Sequence, residues 1–266
     1  RGFMKKLLTL CLLAALILSG CAAGTSTEDN SLNEILDKKE LIIGYTDYPP
    51  FALINGSDVT GFDIDIAKEV AKRMGVELKL KYIDWDAKTL ELNSKSIDAI
   101  WNGFTITEER SKEVTFTKPY LNNSIAVMTL KGSSIQKLAD LAGKNVGVEL
   151  QSSGQSALEA KEDVAKSLAS LTKYTTISEA LLALRSGAID AIVADENYAL
   201  YVTRTDTENY QIANETFNPE YYGIGLRLGS TALANKIDEI IREMTTDGTA
   251  TEISKKWFGE DLIIRE

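Results

Sequence analysis

A short segment of the chain occurs twice, 92 residues apart, and this repeat limits the possible folds more than any other feature. The copies span residues 90–100 and 182–192, and they share two leucines, a serine and the ending Ile-Asp-Ala-Ile at matched positions. Each copy has the pattern of a helix followed by a core strand. A chance match of two short α/β segments would look the same. Otherwise the repeat predicts two similar lobes, each directing the carboxyl end of a strand toward a shared crevice.

The segments around the repeat alternate between helical and strand patterns. Residues 67–74 carry apolar side chains at helical spacing, and Gly75 follows where a C-terminal cap belongs. Residues 76–82 then alternate between apolar and charged side chains, which is typical of a strand. This alternation predicts an α/β fold in which helices cover mostly parallel sheets.

Two extended segments, 124–131 and 221–228, are the places where we expect the chain to cross between the lobes. Two crossings permit a hinge, because a few residues can absorb the change in backbone angles. The boundaries that follow are 31–124 and 227–266 for lobe 1, 131–220 for lobe 2, and 125–130 and 221–226 for the hinge strands.

The N-terminal residues indicate export rather than a place in the fold. Two lysines precede an apolar run of about a dozen residues, which is shorter than a membrane-spanning helix and suits a signal peptide. The run ends in LSGC at residues 18–21, which resembles the bacterial lipobox, whose cysteine is lipidated. An ordinary signal peptide with a chance cysteine is the alternative. We expect a signal peptide at 1–20, lipidation at Cys21, a lipidated tether at 21–30, and a protein anchored to the outer face of the cell membrane or located in the periplasm.

The composition disfavours several kinds of function. With 29 basic and 39 acidic residues, the formal net charge of −10 disfavours nucleic acid as a partner. The chain has no histidine, which removes Ser-His-Asp catalysis and most zinc sites. Its cysteines, Cys11 and Cys21, fall in the signal peptide and at the lipidation site, so no disulfide is expected. We expect a monomeric binding protein without cofactor or metal rather than an enzyme.

One basic residue stands where a helix disfavours it. In TITEER, residues 105–110, Thr107 suits an N-cap and the glutamates suit the positive end of a helix dipole, whereas Arg110 does not. Arg110 either pairs with a neighbouring acid or clamps an external carboxylate, whose geometry the guanidinium matches. In QSSGQ, residues 151–155, the backbone N–H groups form either an anion site or a plain capping turn.

Other candidates lie at predicted strand ends. Gly103 and Asp195 follow the strands of the two repeat copies, and Asp195 either pairs with an ammonium group or caps the next helix. Aromatic rings near strand ends are usually core, although in a cleft two of them could sandwich a ligand and stack on a cation. The rings in question belong to Tyr45, Tyr48, Phe51 and Trp85.

Several further motifs occur in order along residues 40–260. They are GFDIDI at 61–66, TITEER at 105–110, FTKPY at 116–120, DGT at 247–249 and KWFG at 256–259. Together they resemble the family 3 extracellular solute-binding proteins, the polar amino-acid receptors of bacterial ABC importers. The resemblance implies a two-lobed fold of the type II periplasmic-binding-protein kind, with two hinge crossings.

The resemblance also implies roles for individual residues. Arg110 would grip the α-carboxylate of the ligand, helped by Ser153. Asp195 would bind the α-ammonium together with the Gly103 carbonyl and the Thr105 hydroxyl. The aromatic pair that covers the ligand side chain would be Tyr48 and Trp85.

Two positions depart from the family pattern. The loop at residues 44–48 looks shorter than usual, which leaves open whether Tyr45 or Asp47 fills the first polar position. Glu149 stands where some relatives carry a basic or neutral residue that selects the side chain. Together with Asp47 and Asp84, Glu149 indicates a cationic or strongly hydrogen-bonding ligand.

The predicted function is capture of a polar amino acid by closure of the two lobes, followed by delivery to the permease of an ABC importer. Two alternatives belong to other classes of protein. One is an enzyme on the same scaffold, a dehydratase-like relative with Glu149 as its acid. The other is a sensory or adhesive surface lipoprotein.

Overall fold

The computed structural model describes residues 29–265, so the predicted signal peptide and Cys21 lie outside the described residues. The α-helices are α1 (Ser31–Lys38), α2 (Phe62–Met74), α3 (Lys88–Asn93), α4 (Ser153–Ala160), α5 (Glu162–Ser167), α6 (Ile177–Arg185), α7 (Glu196–Thr205), α8 (Thr231–Thr246) and α9 (Thr249–Phe258). None of these helices is long and apolar enough to cross a membrane.

The strands form two large sheets and one hairpin. They are β1 (Glu40–Tyr45), β2 (Leu53–Asn55), β3 (Asp58–Thr60), β4 (Glu77–Tyr82), β5 (Ala99–Ile100), β6 (Val114–Phe116), β7 (Leu121–Leu130), β8 (Asn145–Glu149), β9 (Ser170–Tyr174), β10 (Ala191–Asp195), β11 (Tyr210–Ile212), β12 (Pro219–Tyr222) and β13 (Gly225–Arg227). The first sheet has the order β4-β1-β5-β13-β6, and the second has the order β11-β7-β10-β8-β9. Strands β2 and β3 form the hairpin.

The α/β fold class is confirmed, and in each sheet four of the five strands run in one direction while one strand runs against them. Each sheet contains three parallel strands, β4-β1-β5 in the first and β9-β8-β10 in the second. The next strand in each sheet, β13 or β7, is antiparallel to these three. The chain reaches these two strands from the other sheet: β13 follows the connecting strand β12, and the first residues of β7 are themselves the connection. A strand that arrives from the other sheet does not need the helical crossover that makes consecutive strands parallel.

The two repeat copies fold alike, so the repeat is not a chance match. The first copy forms α3 and β5, and the second forms α6 and β10. Lys95 and Gly187 hold the same repeat position, and both have left-handed backbone angles, with φ of 61° and 75°. A matching contact also precedes β5 and β10. The Asp98 carboxylate accepts the Ile42 backbone N–H, and the Asp190 carboxylate accepts the Asn145 backbone N–H, both at 2.8 Å.

The repeat isoleucines require a glycine on the neighbouring strand. A Cβ atom at Gly44 in β1 would lie 2.6 Å from Cδ1 of Ile97, and one at Gly147 in β8 would lie 2.6 Å from Cδ1 of Ile189. Both isoleucines are buried and occupy the same repeat position. Because of this close approach, β5 lies beside β1 in the first sheet in the same way that β10 lies beside β8 in the second.

A paired ribbon connects the two sheets. Residues 121–124 of β7 pair with residues 219–222 of β12 in antiparallel register, from Leu121 opposite Tyr222 to Ser124 opposite Pro219. The rest of β7 pairs with β10 and β11 in the second sheet, whereas β13 belongs to the first. The predicted hinge strands 125–130 and 221–226 therefore overlap the sheets, and the ribbon lies a few residues earlier along the chain. The lobe boundaries given above stay a prediction.

Gly154 allows the start of α4 to pack on β10. A Cβ atom there would lie 2.5 Å from the carbonyl oxygen of Val193, a backbone atom that cannot rotate away. We expect Gly154→Ala to push α4 off β10 and to lower the free energy of unfolding by about 1–3 kcal/mol, measured by urea denaturation. Ser156→Ala, at an exposed position of α4, is the control. Equal urea midpoints for the two variants would contradict this account of the packing.

Candidate functional site

Arg110 lies at the interface between the two halves of the molecule. It begins a three-residue 3-10 turn rather than an α-helix, and the Thr107 hydroxyl accepts its backbone N–H at 3.1 Å. Its guanidinium donates to the Thr105 carbonyl at 2.9 Å and across the interface to the Gln151 carbonyl at 3.2 Å. It also stacks 4.7 Å from the centre of the Phe104 ring. Among the described residues Arg110 has no ion-pair partner, so pairing with a neighbouring acid does not explain it.

A second cation, Lys88, reaches the same carbonyl. Its ammonium group donates to the Trp85 carbonyl at 2.9 Å and lies 3.4 Å from the Gln151 carbonyl oxygen. Lys88 is buried, and burial together with the nearby Arg110 charge lowers its pKa to about 8. Gln151 is held with a left-handed φ of 57°, and its carbonyl faces both cations. Two positive groups from one half of the molecule therefore converge on one carbonyl of the other half.

Asp195 ends β10, and hydrogen-bond donors surround its carboxylate. It accepts from the Tyr48 hydroxyl at 2.5 Å, the Tyr222 hydroxyl at 2.7 Å and the Asn123 amide at 2.6 Å. The Ser153 hydroxyl lies at 3.4 Å. Its side chain makes no capping hydrogen bond to α7, so the capping interpretation is wrong. Burial raises the pKa of Asp195, whereas these hydrogen bonds and the Arg110 charge act in the opposite direction.

The start of α4 combines the two interpretations that the sequence left open. Ser152 is the N-cap, and its hydroxyl accepts the Gln155 backbone N–H at 3.1 Å. Ser153 is the first residue of the helix, and its buried side chain faces Asp195. Capping therefore uses Ser152, which leaves Ser153 available to the cleft.

Gly103 and Thr105 follow β5 and lie on the opposite side of the cleft. The Gly103 backbone N–H donates to Asp63 at 2.7 Å, and Tyr120 donates to the other oxygen of the same carboxylate at 2.8 Å. Burial raises the pKa of Asp63 to about 7. Thr105 donates to Glu220 at 3.2 Å, and burial raises the pKa of Glu220 to about 7. The GFDIDI motif thus supplies the carboxylate that holds the Gly103 loop.

The aromatic candidates divide between the cleft and the core. Phe51 is fully buried and packs edge-on against Tyr222 at 5.2 Å, so it is a core residue. Tyr48 stacks on Tyr198 at 4.9 Å while its hydroxyl reaches Asp195. Trp85 packs edge-on against Phe104 at 5.7 Å.

Two adjoining cavities occupy the cleft. The inner cavity is lined by residues that include Tyr48, Trp85, Gly103, Glu149, Ser153 and Asp195, and its volume is about 10 Å³. The outer cavity is lined by residues that include Thr46, Asp47, Tyr82, Asp84, Trp85 and Glu149, and its volume is about 400 Å³. The inner volume is about that of a single water probe, so an amino acid requires the two halves to separate before it enters. Asp47 lines the outer cavity, whereas Tyr45 lines neither and packs against Tyr82 at 5.9 Å.

Several cleft residues were not found from the sequence patterns. Asn102 stands directly before Gly103 at a strand end, and Glu220 and Tyr222 occupy alternate positions of β12. The strand end could have indicated that Asn102 faces the cleft, and the alternation could have indicated that Glu220 and Tyr222 share one face of β12. The missed residues are Lys88, Asn102, Asn123, Glu220 and Tyr222.

Glu149 is the buried acid that both cavities share. It is 5% exposed, and its carboxylate accepts the backbone N–H of Ile177 at the start of α6 at 3.0 Å. Burial raises its pKa to about 8 from a model-peptide value of 4.5. Folding therefore favours the protonated form, and the stability associated with this group falls as the pH rises from the unfolded value to the folded one.

We expect Glu149→Gln, which stays neutral, to raise the melting temperature of the ligand-free protein relative to the wild type more at pH 8 than at pH 5. Each unit of pKa difference corresponds to about 1.4 kcal/mol. Differential scanning calorimetry at the two pH values measures the effect, with Glu208→Gln at an exposed glutamate as the control. A difference in melting temperature that stays constant across this range would show that Glu149 is already ionised at pH 5.

Comparison with known proteins places this cleft in a family. Residues 41–260 match the model of the bacterial extracellular solute-binding proteins, family 3. The L-cystine-binding protein TcyJ of Escherichia coli strain K12 is 33% identical over 258 residues, which cover 94% of each chain. The glutamine-binding protein GlnH of Bacillus subtilis strain 168 is 35% identical over 276 residues, which cover 97% of this chain and 99% of GlnH.

Solved structures agree in fold. The protein Tv2483 bound to L-arginine superposes with a TM-score of 0.84 at 36% identity, covering 89% of this chain and 98% of Tv2483. A substrate-binding protein of an ABC uptake transporter from Streptococcus pneumoniae, with bound histidine, gives a TM-score of 0.86 at 32% identity, covering 90% and 100%. The chain belongs to the bacterial extracellular solute-binding proteins, family 3.

Proposed function

We propose that the protein captures a polar amino acid between its two lobes and delivers it to the permease of an ABC importer. The observation that carries the proposal is the opposed charge across one cleft: Arg110 lies on one side, and the Asp195 carboxylate ends a strand of the other. An amino acid carries one negative and one positive group on the same carbon. The relatives named above bind cystine, glutamine, arginine or histidine, which share only these two groups.

The α-carboxylate is proposed to bind between Arg110 and the start of α4. Arg110 and Lys88 both point at the Gln151 carbonyl, a neutral acceptor. A carboxylate provides two charged oxygens and matches the planar guanidinium in a bidentate way, so it is the stronger partner. The Ser153 hydroxyl and the N–H groups at the start of α4 complete the anion site.

The α-ammonium is proposed to bind Asp195, the Gly103 carbonyl and the Thr105 hydroxyl. Every hydrogen-bond donor to the Asp195 carboxylate among the described residues is a neutral group, and a buried carboxylate gains more from a charged donor than from a neutral one. The Gly103 N–H is already occupied by Asp63, which leaves its carbonyl available. Tyr48 and Trp85 would then cover the ligand stem.

Closure of the lobes is proposed to couple binding to transport. Tyr48 contacts Asp195 and Arg110 contacts Gln151, and both pairs join opposite sides of the cleft. A third contact between the two sides lies far from the inner cavity: the guanidinium of Arg204 in α7 donates to the Phe258 carbonyl and lies 3.7 Å from the Glu260 carboxylate. A ligand favours the closed form only by the difference between its affinities for the two forms. The permease would recognise that closed form.

We expect Arg110→Ala to weaken binding of the best amino-acid ligand at least 100-fold, because the α-carboxylate loses its charged partner. Isothermal titration calorimetry of the wild type and the variant measures the change. The control is Arg242→Ala at an exposed arginine of α8. An affinity of Arg110→Ala within threefold of the wild type would refute this assignment.

The protein is proposed to bind its ligand without transforming it. Glu149 is the acid that an enzyme on this scaffold would use, and an ancestral amino acid-binding protein described as a precursor of cyclohexadienyl dehydratase is 29% identical, with a TM-score of 0.79. Relatives that are named for binding alone support the binding role. Mass spectrometry of a ligand recovered after prolonged incubation decides between the two, since a binding protein returns it unchanged.

As a member of an extracellular family, the protein is exported, and we propose that it acts as a monomer tethered through lipid on Cys21. A single acyl chain gives only marginal membrane binding, so at least two chains are needed. We expect Cys21→Ser to move the protein from the detergent phase to the aqueous phase of a detergent partition. A variant that stays in the detergent phase would show that another feature attaches it.

A further inference from the structure

The outer cavity carries three carboxylates and no basic residue. Asp47, Asp84 and Glu149 line it, together with Tyr82 and hydroxyl-bearing threonines and a serine. The inner cavity, which shares Glu149, is likewise lined without lysine or arginine. Asp195 and Gly103 of the proposed ammonium site and Ser153 of the proposed carboxylate site line the inner cavity, so the outer cavity is the space into which a ligand side chain extends.

None of the three acidic side chains forms an ion pair within 4 Å among residues 29–265, although the Lys88 charge acts on Glu149 from a greater distance and favours its ionised form. Asp47 accepts the Ile54 backbone N–H at 3.1 Å, and Glu149 accepts that of Ile177 at 3.0 Å. The backbone carbonyl of Asp84 accepts the Ala87 N–H at 3.0 Å, whereas its side chain makes no hydrogen bond or ion pair within the described part of the chain. The nearest basic residue along β4, Lys81, pairs instead with Glu91 at 2.8 Å. Asp47 and Asp84 therefore present carboxylate oxygens that no basic residue of the described chain neutralises.

A buried amide adds an independent acceptor. Asn102 is 2% exposed and lines the inner cavity, and its Nδ2 donates to the Thr46 hydroxyl at 3.0 Å. Its Oδ1 is buried and has no hydrogen-bond partner. A buried acceptor without a donor is costly, so this atom is satisfied when a ligand brings an N–H group to it. Thr46 lines both cavities, which places Asn102 beside the passage between them.

We propose that the ligand is an α-amino acid whose side chain ends in a cation, held between Asn102 and the carboxylates of Asp47, Asp84 and Glu149. This inference rests on the proposed amino-acid function and specifies its substrate class. The partly exposed ring of Tyr82 supplies a face on which a guanidinium or ammonium group stacks, whereas the ring of Trp85 already has the Lys88 ammonium 4.8 Å from its centre. The charged N–H groups of such a side chain would donate hydrogen bonds to the Asn102 Oδ1 and to the carboxylate oxygens of Asp47 and Asp84.

Other side chains fit this surface less well. An anionic side chain would meet the like charges of Asp47 and Asp84, and the distal carboxylate of cystine would do the same. A neutral amide offers donors, but its oxygen would face carboxylate oxygens. A metal ion is a poor alternative, because no group of three histidine, cysteine or acidic side chains in residues 29–265 is arranged to hold one.

The test compares two ligands of nearly equal shape. Arginine and citrulline differ in that a charged nitrogen of arginine is replaced by a neutral oxygen in citrulline. We expect the purified protein to bind arginine or lysine at least 30-fold more tightly than citrulline, glutamine, histidine at pH 8 or cystine, measured by isothermal titration calorimetry.

A variant locates the preference in the outer cavity. Asp84→Asn removes one charge from a side chain without structural partners and keeps its size, so the fold is maintained. We expect it to lower the ratio of arginine to citrulline affinity at least threefold, because arginine loses a charged partner and citrulline does not. Asp37→Asn, at an exposed aspartate of α1, is the control and should leave the ratio as in the wild type.

The outcomes separate the inference from the function on which it rests. If citrulline, glutamine, histidine or cystine binds as tightly as the best cationic ligand, the cation preference is wrong while amino-acid capture stands. The preference is also wrong if Asp84→Asn and Asp37→Asn give the same ratio. If no amino acid binds, the proposed function fails, and the preference fails with it.

Discussion

The buried carboxylate of Asp195 joins the parts of the molecule that a binding cleft must coordinate. Its donors come from the loop after β1 (Tyr48), from both strands of the connecting ribbon (Asn123 and Tyr222) and from the start of α4 (Ser153). Burying an ionisable group without partners is strongly unfavourable, so these contacts cannot be lost independently. Any movement of the lobes must therefore exchange donors at this one group, and the α-ammonium of an amino acid is the natural replacement.

The repeat places two acceptors for the proposed α-ammonium at matching strand ends. In each copy a short helix leads to a central strand, and the strand ends at the cleft, with Gly103 in one copy and Asp195 in the other. The backbone geometry is shared, whereas the chemistry differs: a glycine offers only its carbonyl, and an aspartate offers a charge. Arg110, which follows the first copy, supplies the opposite sign. The asymmetry of the ligand is thus matched by side chains placed on a nearly symmetric frame.

In the proposed binding mode, recognition of the ligand backbone and recognition of its side chain use different parts of the cleft. The residues around the inner cavity are tied into the fold: Asp63 holds the Gly103 loop, and four donors hold Asp195. The outer cavity is built largely from loop residues such as Asp47 and Asp84, which have few or no structural partners. Loops tolerate changes that strands do not, because fewer buried contacts depend on them. Relatives with one fold and different ligands are consistent with this division.

The sequence by itself determined the repeat, the α/β class, and the placement of Ser153 at a helix start and Asp195 at a strand end, because these depend on patterns within about a dozen neighbouring residues. It also carried the family motifs. Tertiary structure alone decided that β7 and β13 join their sheets antiparallel, that Lys88 and Arg110 converge on the Gln151 carbonyl, and that Asn102 is left with an unpaired oxygen. Each of these facts depends on residues that are distant in the sequence. No local pattern records such contacts, because they arise only when distant segments of the chain pack together.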